Sequence, residues 1–394
     1  MTHRSMTHQP QATGKAWFGV AAITASLFVF LTTELMPVGL LTPLSSSLRV
    51  PVGVAGLMVT LYGVSAGLGV PFIVAWTRRV NRRLLLSLLL VVLTLGNLVT
   101  AVAPSFPLVL TTRLVMGFAS GVFWAIGVSM AMRMVPGPLA GRAAAVVMSG
   151  ISIAAVVGIP LGIFVESLTG WRRTFLIWAG LSLLVLAAVA VLVPSLPSDN
   201  AVPVRAVFGL PRANAQLRLV MVMVVLFVLG HFGAYTFIRP FLEGESATTP
   251  TAVTILVMLY GIGGAAGNFL AGHVVTSNFR AGFVVGSGGV VVSLLLLLTA
   301  GHQLAAAVVA VTLWGMSFGI VQLCQLNLTQ AAAPSTFEAA MSLNTMAYNT
   351  SIALGALVGG LFADHAGVRS VFWFGIALTA GSIVVTALTW PKRT

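Results

Sequence analysis

Acidic side chains are almost missing from this chain: seven Asp and Glu stand among 394 residues, and all charged residues together make up 7%. A soluble domain carries about a quarter of its residues charged to stay solvated, so a large soluble fold is excluded at the outset. Cysteine is scarcer still. Cys324 is alone, so no disulfide can form within the chain. The six histidines are scattered and form no metal-ligand cluster, so no metal or other cofactor is expected. A glycine-rich phosphate loop is also lacking, which argues against an ATP-driven pump. No nucleophile, base and activating group gather at one depth, so an enzyme is not expected.

What is present is apolar. Hydrophobic residues reach 58% and the mean hydropathy is +1.05. Runs of about 20 apolar residues recur along the chain, each long enough to cross a ~30 Å hydrocarbon core as a helix that satisfies its own backbone. Twelve runs are legible, near residues 17–41, 52–75, 84–103, 108–134, 143–165 and 174–193, then 218–241, 251–275, 281–300, 304–330, 339–362 and 370–390. The first follows a polar start and superficially resembles a signal peptide. It is too long for one, contains Glu34 and is followed by many further spans, so it reads as a retained helix.

The expected fold is an all-α membrane protein of twelve transmembrane helices in two pseudo-symmetric six-helix bundles. Residues 1–16 form a tail, 17–193 the first bundle, 194–217 a linker and 218–394 the second bundle with a short tail. The linker carries Pro194, Pro197, Pro203 and Pro211 with Arg205 and Arg212. The net charge of +13 forms no continuous basic face, so the lipid bilayer rather than nucleic acid is the expected partner. With the N-terminus inside, 14 Lys and Arg fall on the cytoplasmic side and 5 outside, with Arg113 within a span. That asymmetry puts both termini in the cytoplasm, with the chain expected in an inner membrane.

The halves repeat at one offset. Gly117, Gly121 and Pro136 recur 198 residues on as Gly315, Gly319 and Pro334. Glu166, Gly170 and Arg172 recur as Asp364, Gly367 and Arg369 at offsets of 198 or 197. Parallel repeats of this kind place a small-solute site between the halves near the midplane and allow the halves to rock around it.

Ionisable groups inside the bilayer cost ~2.5–3.5 kcal/mol or more and mark function by default. Glu34 lies about 25 Å along the first span at 1.5 Å per residue. Arg113 reaches a comparable depth in the fourth, so the two are expected to pair or share a water-filled pocket. The cation favours the carboxylate and the dry surroundings the acid, and a group held between those pulls can load and release a proton. A static ion pair is the alternative. His231, 197 residues after Glu34, is a second candidate for proton coupling, the alternative being a packing histidine. Phe123, Trp124, Tyr235, Gln322, Asn344 and Asn349 are candidate solute contacts for a neutral, hydroxyl-rich or ring-bearing molecule, with hydrogen bonding between helices as the other role for the amides. Gln325 and Asn327 share that pattern. Arg239, before Glu243 and Glu245, is either functional or an interfacial anchor.

Several segments resemble the major facilitator superfamily, and within it the twelve-helix drug:proton antiporters. Arg113-Leu-Val-Met-Gly117-Phe-Ala-Ser-Gly121 resembles the fourth-helix arginine motif linked to proton coupling. Gly150 with Gly158-Ile-Pro160-Leu-Gly162 resembles the fifth-helix motif of antiporters. Arg78, Arg79, Arg82 and Arg83 stand where the family's cytoplasmic gating loop lies, with Arg78 in place of its aspartate and Val74 in place of its leading glycine. Thr33-Glu34-Leu-Met-Pro37-Val-Gly39, Gly121-Val-Phe-Trp124-Ala and Gly230-His231-Phe-Gly-Ala-Tyr235-Thr-Phe-Ile-Arg239-Pro240 are similar to bacterial sugar efflux and purine ribonucleoside efflux transporters. The resemblance implies a monomer that exports a sugar, nucleoside or antibiotic such as chloramphenicol in exchange for protons. Facilitated diffusion or proton-coupled uptake is the alternative.

Overall fold

The computed structural model describes residues 14–76, 80–197, 214–245, 248–275 and 278–389, and every regular element among them is helical. The first half comprises α1 (Gly14–Leu48), α2 (Leu57–Trp76, after a short turn Val52–Ala55), α3 (Arg82–Val102), α4 (Phe106–Arg133), α5 (Gly137–Thr169) and α6 (Trp171–Leu192). The second comprises α7 (Ala215–Thr236, continued by Ile238–Glu245), α8 (Pro250–Val274), α9 (Phe279–Ala300), α10 (Leu304–Ala332), α11 (Phe337–Ala366) and α12 (Val368–Thr389). Among the described residues, eleven helices are long and apolar enough to span a membrane, and the shorter apolar stretch Val52–Gly67 occupies the remaining place in the repeat. The architecture is thus the expected twelve-helix, two-bundle fold.

Helix ends differ from the hydropathy reading. α1 begins at Gly14 and runs on to Leu48, and α7 begins at Ala215. Hydropathy marks what touches lipid, whereas a helix continues into the interface while its backbone bonds hold. Asn214 caps α7 by accepting from the Leu217 amide. Most of the linker, residues 198–213, lies outside the described residues, as do Arg78 and Arg79.

The sequence repeat is a packing repeat. In the first half α2 packs on α4, α3 on α4 and α6, and α1 on α5 and α6. In the second, α8 packs on α10, α9 on α10 and α12, and α7 on α11 and α12. Glycines set the closest crossings. A side chain at Gly117 or Gly121 would meet the main chain of Tyr62 or Ala66, and one at Gly315 or Gly319 would meet that of Tyr260 or Gly264. Those contacts are related by the same offset of 198. The turns into α6 and α12 also match: Gly170 and Gly367 have φ +82° and +81°, a region that side-chain-bearing residues rarely adopt. Large apolar residues such as Leu95, Leu184 and Phe269 remain exposed on the outside of the bundles. Water would penalise such a surface, and lipid does not.

Two seams join the halves: α2 against α11 and α5 against α8. Gly63 lies over Asn349 and Ala353 in the first, and Gly261 over Ala155 and Val156 in the second. The α5 seam is irregular. Pro160 has no N–H for the carbonyl four residues earlier, and the preceding turn, Ala154–Gly158, widens into a π-helix.

Candidate functional site

A cavity of about 260 Å³ opens between the halves. The first half contributes Leu31, Glu34 and Leu35 of α1, Trp124 of α4 and Ile151, Ala155 and Ile159 of α5. The last three are spaced by four residues and so lie on one face of the helix. The second half supplies the aromatic and amide wall, including Phe232, Tyr235, Tyr260, Phe318, Gln322, Gln325, Asn344, Tyr348 and Asn349. Among the described residues, Glu34 is the only Asp, Glu, Lys, Arg or His lining the cavity.

Glu34 is 5% exposed, and its Oε2 accepts from Ser120 Oγ at 3.2 Å. The expected partnership with Arg113 takes a different form. Arg113 is fully buried, and its guanidinium donates to main-chain carbonyls rather than to the carboxylate: Nη1 to Thr33 at 2.9 Å, Nη2 to Glu34 at 2.9 Å and Nε to Met58 at 3.3 Å. Pro37 explains the arrangement. It lies within α1 and cannot donate to the carbonyl four residues earlier, which belongs to Thr33. A buried carbonyl without a partner costs ~1–3 kcal/mol, and Arg113 supplies the missing donor. Its guanidinium also lies 4.5 Å from the Tyr62 ring centroid. Arg113 therefore holds the α1 backbone that carries Glu34 and leaves the carboxylate facing the cavity.

The same device appears a second time on α1. Pro43 frees the carbonyl of Gly39, and Arg239 Nη1 donates to it. Arg239 also forms ion pairs with Glu166 Oε2 at 2.8 Å and Glu243 Oε1 at 2.7 Å. Glu166 ends α5 in the first half, whereas Arg239 follows α7 in the second, so this buried pair latches the halves at the face opposite the termini. The repeat partner of Glu166 makes the other latch. Asp364, at the end of α11, accepts from the amides of Gly53 at 2.7 Å and Val54 at 3.1 Å. Arg239 is thus more than an interfacial anchor.

Trp124, Tyr235, Gln322, Asn344 and Asn349 all line the cavity, but Phe123 does not. Phe123 turns into the core of the first half and stacks on Phe30 with centroids 4.8 Å apart. His231 also stands apart, behind the cavity wall. Its Nδ1 accepts from Trp314 Nε1 at 3.1 Å, and its Nε2 is 3.0 Å from Tyr260 Oη. An indole N–H only donates, so Nδ1 is its acceptor, and His231 does not share the cavity wall with Glu34. Gly150, Gly158 and Gly162 line α1 rather than the cavity: side chains there would meet Leu27, Thr32 and Met36. Arg83 donates to the carbonyl of Ala190 in the last turn of α6, within its own half, and the Arg82 amide donates to Leu196 at 3.0 Å.

Tyr260, Phe318 and Tyr348 were not singled out by sequence. Aromatic residues are as ordinary in a packed span as in a cavity, so no single-sequence signal marks them. The Arg113 and Arg239 contacts did have a signal, namely a proline four residues after a carbonyl that then needs a donor.

Two pseudo-equivalent bundles and, between them, a largely apolar cavity whose wall also carries amides, tyrosine hydroxyls and one carboxyl group define a membrane transporter architecture. The profile of the Major Facilitator Superfamily matches residues 20–339, and the chain belongs to that superfamily. Its fold is shared with the nucleoside transporter NupG (TM-score 0.74, 12% identity, covering 94% of this chain and 98% of that one). A bacterial homologue of the human lysosomal transporter Spinster in an inward-facing, unoccupied conformation is also similar (0.68, 14%, 95% of both chains). So is the human organic anion transporter MFSD10 (0.69, 17%, 94% and 99%).

Proposed function

We propose that the protein is a secondary active exporter that moves a small neutral organic solute outward in exchange for protons, with Glu34 as the proton-carrying group. The observation that carries this reading is the isolation of Glu34. Among the described residues it is the only Asp, Glu, Lys, Arg or His on the cavity wall, and the nearby guanidinium is engaged by backbone carbonyls. A carboxyl group so placed binds a proton or a solute contact, and changing access to water exchanges one for the other. Arg113 acts in this scheme by fixing the α1 backbone rather than by neutralising the acid.

The wall opposite Glu34 supports a neutral, ring-bearing or hydroxyl-rich solute. Amides and tyrosine hydroxyls offer hydrogen bonds, and Trp124, Tyr235 and Phe318 offer ring faces. Among the described residues the cavity wall carries no Lys, Arg or His to meet an organic anion, whereas a nucleoside, a sugar or chloramphenicol suits its chemistry. The fifth-helix pattern Gly150, Gly158, Pro160 and Gly162 supports exchange over uptake by its resemblance to antiporters. The charge asymmetry of the sequence supports both termini in the cytoplasm, and the resemblance to bacterial efflux transporters supports a bacterial inner membrane.

Everted membrane vesicles test the proposal. With an imposed proton gradient, labelled chloramphenicol, inosine or a simple sugar should accumulate inside vesicles containing the protein, and a protonophore should abolish the accumulation. Equilibration to equal concentrations, indifferent to the gradient, would favour facilitated diffusion instead.

A further inference from the structure

His231 occupies the position equivalent to Glu34 but sits behind the cavity wall, and the structure gives it a defined task. Its ring is stacked on Phe318 (centroids 4.1 Å apart), Tyr235 (5.7 Å) and Phe227 (5.7 Å), so only its two nitrogens are left for polar contact. Both are engaged. Trp314, fully buried, has a single N–H that can only donate, and it donates to Nδ1. A neutral imidazole carries one proton, and here it resides on Nε2. Nε2–H therefore donates to Tyr260 Oη, 3.0 Å away. With the tyrosine oxygen accepting, its own O–H is directed elsewhere, and Tyr260 lines the cavity.

We infer that Trp314 and His231 form a one-way hydrogen-bond relay that makes Tyr260 a donor to the solute, so the cavity selects molecules presenting a neutral acceptor (a carbonyl, ether or ring nitrogen) to its second-half wall. The inference rests on the cavity being the solute site. Trp314 and His231 are positioning residues that never touch solute, and Tyr260 is the contact. The relay is directional because its first member is an indole. Replacing Trp314 with phenylalanine frees Nδ1 to take the proton. His231 Nε2 then accepts from Tyr260, and the hydroxyl proton turns away from the cavity. The same tyrosine in the same place would have lost its donor.

The test uses the full-length protein in lipid nanodiscs, with caffeine as probe: a neutral, flat ring that carries hydrogen-bond acceptors and no donors. In ¹⁵N-histidine spectra, the signals of His231, assigned by their loss in His231→Gln, should report a neutral ring with its proton on Nε2. Trp314→Phe should move the proton toward Nδ1. Caffeine binding, read by quenching of tryptophan fluorescence, should weaken about five- to tenfold in both Tyr260→Phe and Trp314→Phe. A merely structural role for Trp314 would not shift the tautomer and the affinity together. A proton on Nδ1 or on both nitrogens in the wild-type protein at neutral pH would overturn the inference. So would caffeine binding that is absent or is unchanged by Tyr260→Phe. Neither readout depends on proton-driven flux, so failure of the exporter reading would show separately.

Discussion

At the scale of single residues, the two prolines of α1 govern the electrostatics of the site. Pro37 and Pro43 each free a carbonyl inside the protein, and each carbonyl receives an arginine from another helix. The association of Arg113 with Glu34 is thus made through the backbone. This predicts a specific coupling. Arg113→Met should lower thermal stability by roughly 1–3 kcal/mol through the carbonyls it abandons. Pro37→Ala, which restores an N–H for Thr33, should recover a substantial part of that loss. A double-mutant cycle of unfolding in detergent measures it, and strict additivity would refute the carbonyl-capping role.

Sequence had identified Glu34 and Arg113 as costly intramembrane charges, and five of the six expected solute contacts do line the cavity. Phe123 and His231 do not, for a physical reason. Polarity or aromaticity in a span shows that a side chain must be satisfied away from lipid, but not whether water, solute or another helix satisfies it. Phe123 is satisfied by Phe30, and His231 by Trp314 and Tyr260.

At the scale of elements, α5 is both the irregular helix and a moving-seam candidate. Its π turn presents Ala155 and Val156 to Gly261 of α8 with no side chain between. A leucine at Gly261 would force that seam apart. Gly261→Leu is expected to insert normally yet lose most solute flux, whereas Gly180→Ala, with open space around it, should transport like wild type. Vesicle flux normalised to the amount of inserted protein checks this; equal flux in Gly261→Leu would show that close approach at the seam is dispensable. The twelve helices and their internal repeat were legible because lipid demands apolar runs of spanning length. The π turn was not, because Pro160 announces a disturbed backbone without stating how it is resolved.

For the whole molecule, both latches between halves at the face opposite the termini are carboxylates at the ends of repeat-related helices. Glu166 takes a buried arginine, and Asp364 takes two backbone amides. Their common position means that the described state is fastened on that face, and in the proposed rocking of the halves around the cavity both must release. Glu166→Gln leaves Arg239 paired with Glu243 but removes the ion pair that crosses between the halves, which weakens the fastened state. Glu166→Gln should therefore shift the population toward one open at that face. Spin labels at Ser167 and Gly244, one on each half, would report a longer mean distance in Glu166→Gln than in wild type, and an unchanged distribution would remove Glu166 from the latch.

On the proposed exchange of solute for protons, one carboxyl group, that of Glu34, changes its protonation during the cycle. Infrared difference spectroscopy across a pH titration observes that change directly. A carboxylic acid C=O band should appear as the medium is acidified, bleach as it is made alkaline, and be missing from Glu34→Gln. A Glu34 side chain that stays carboxylate at every pH at which the protein remains folded would contradict the account.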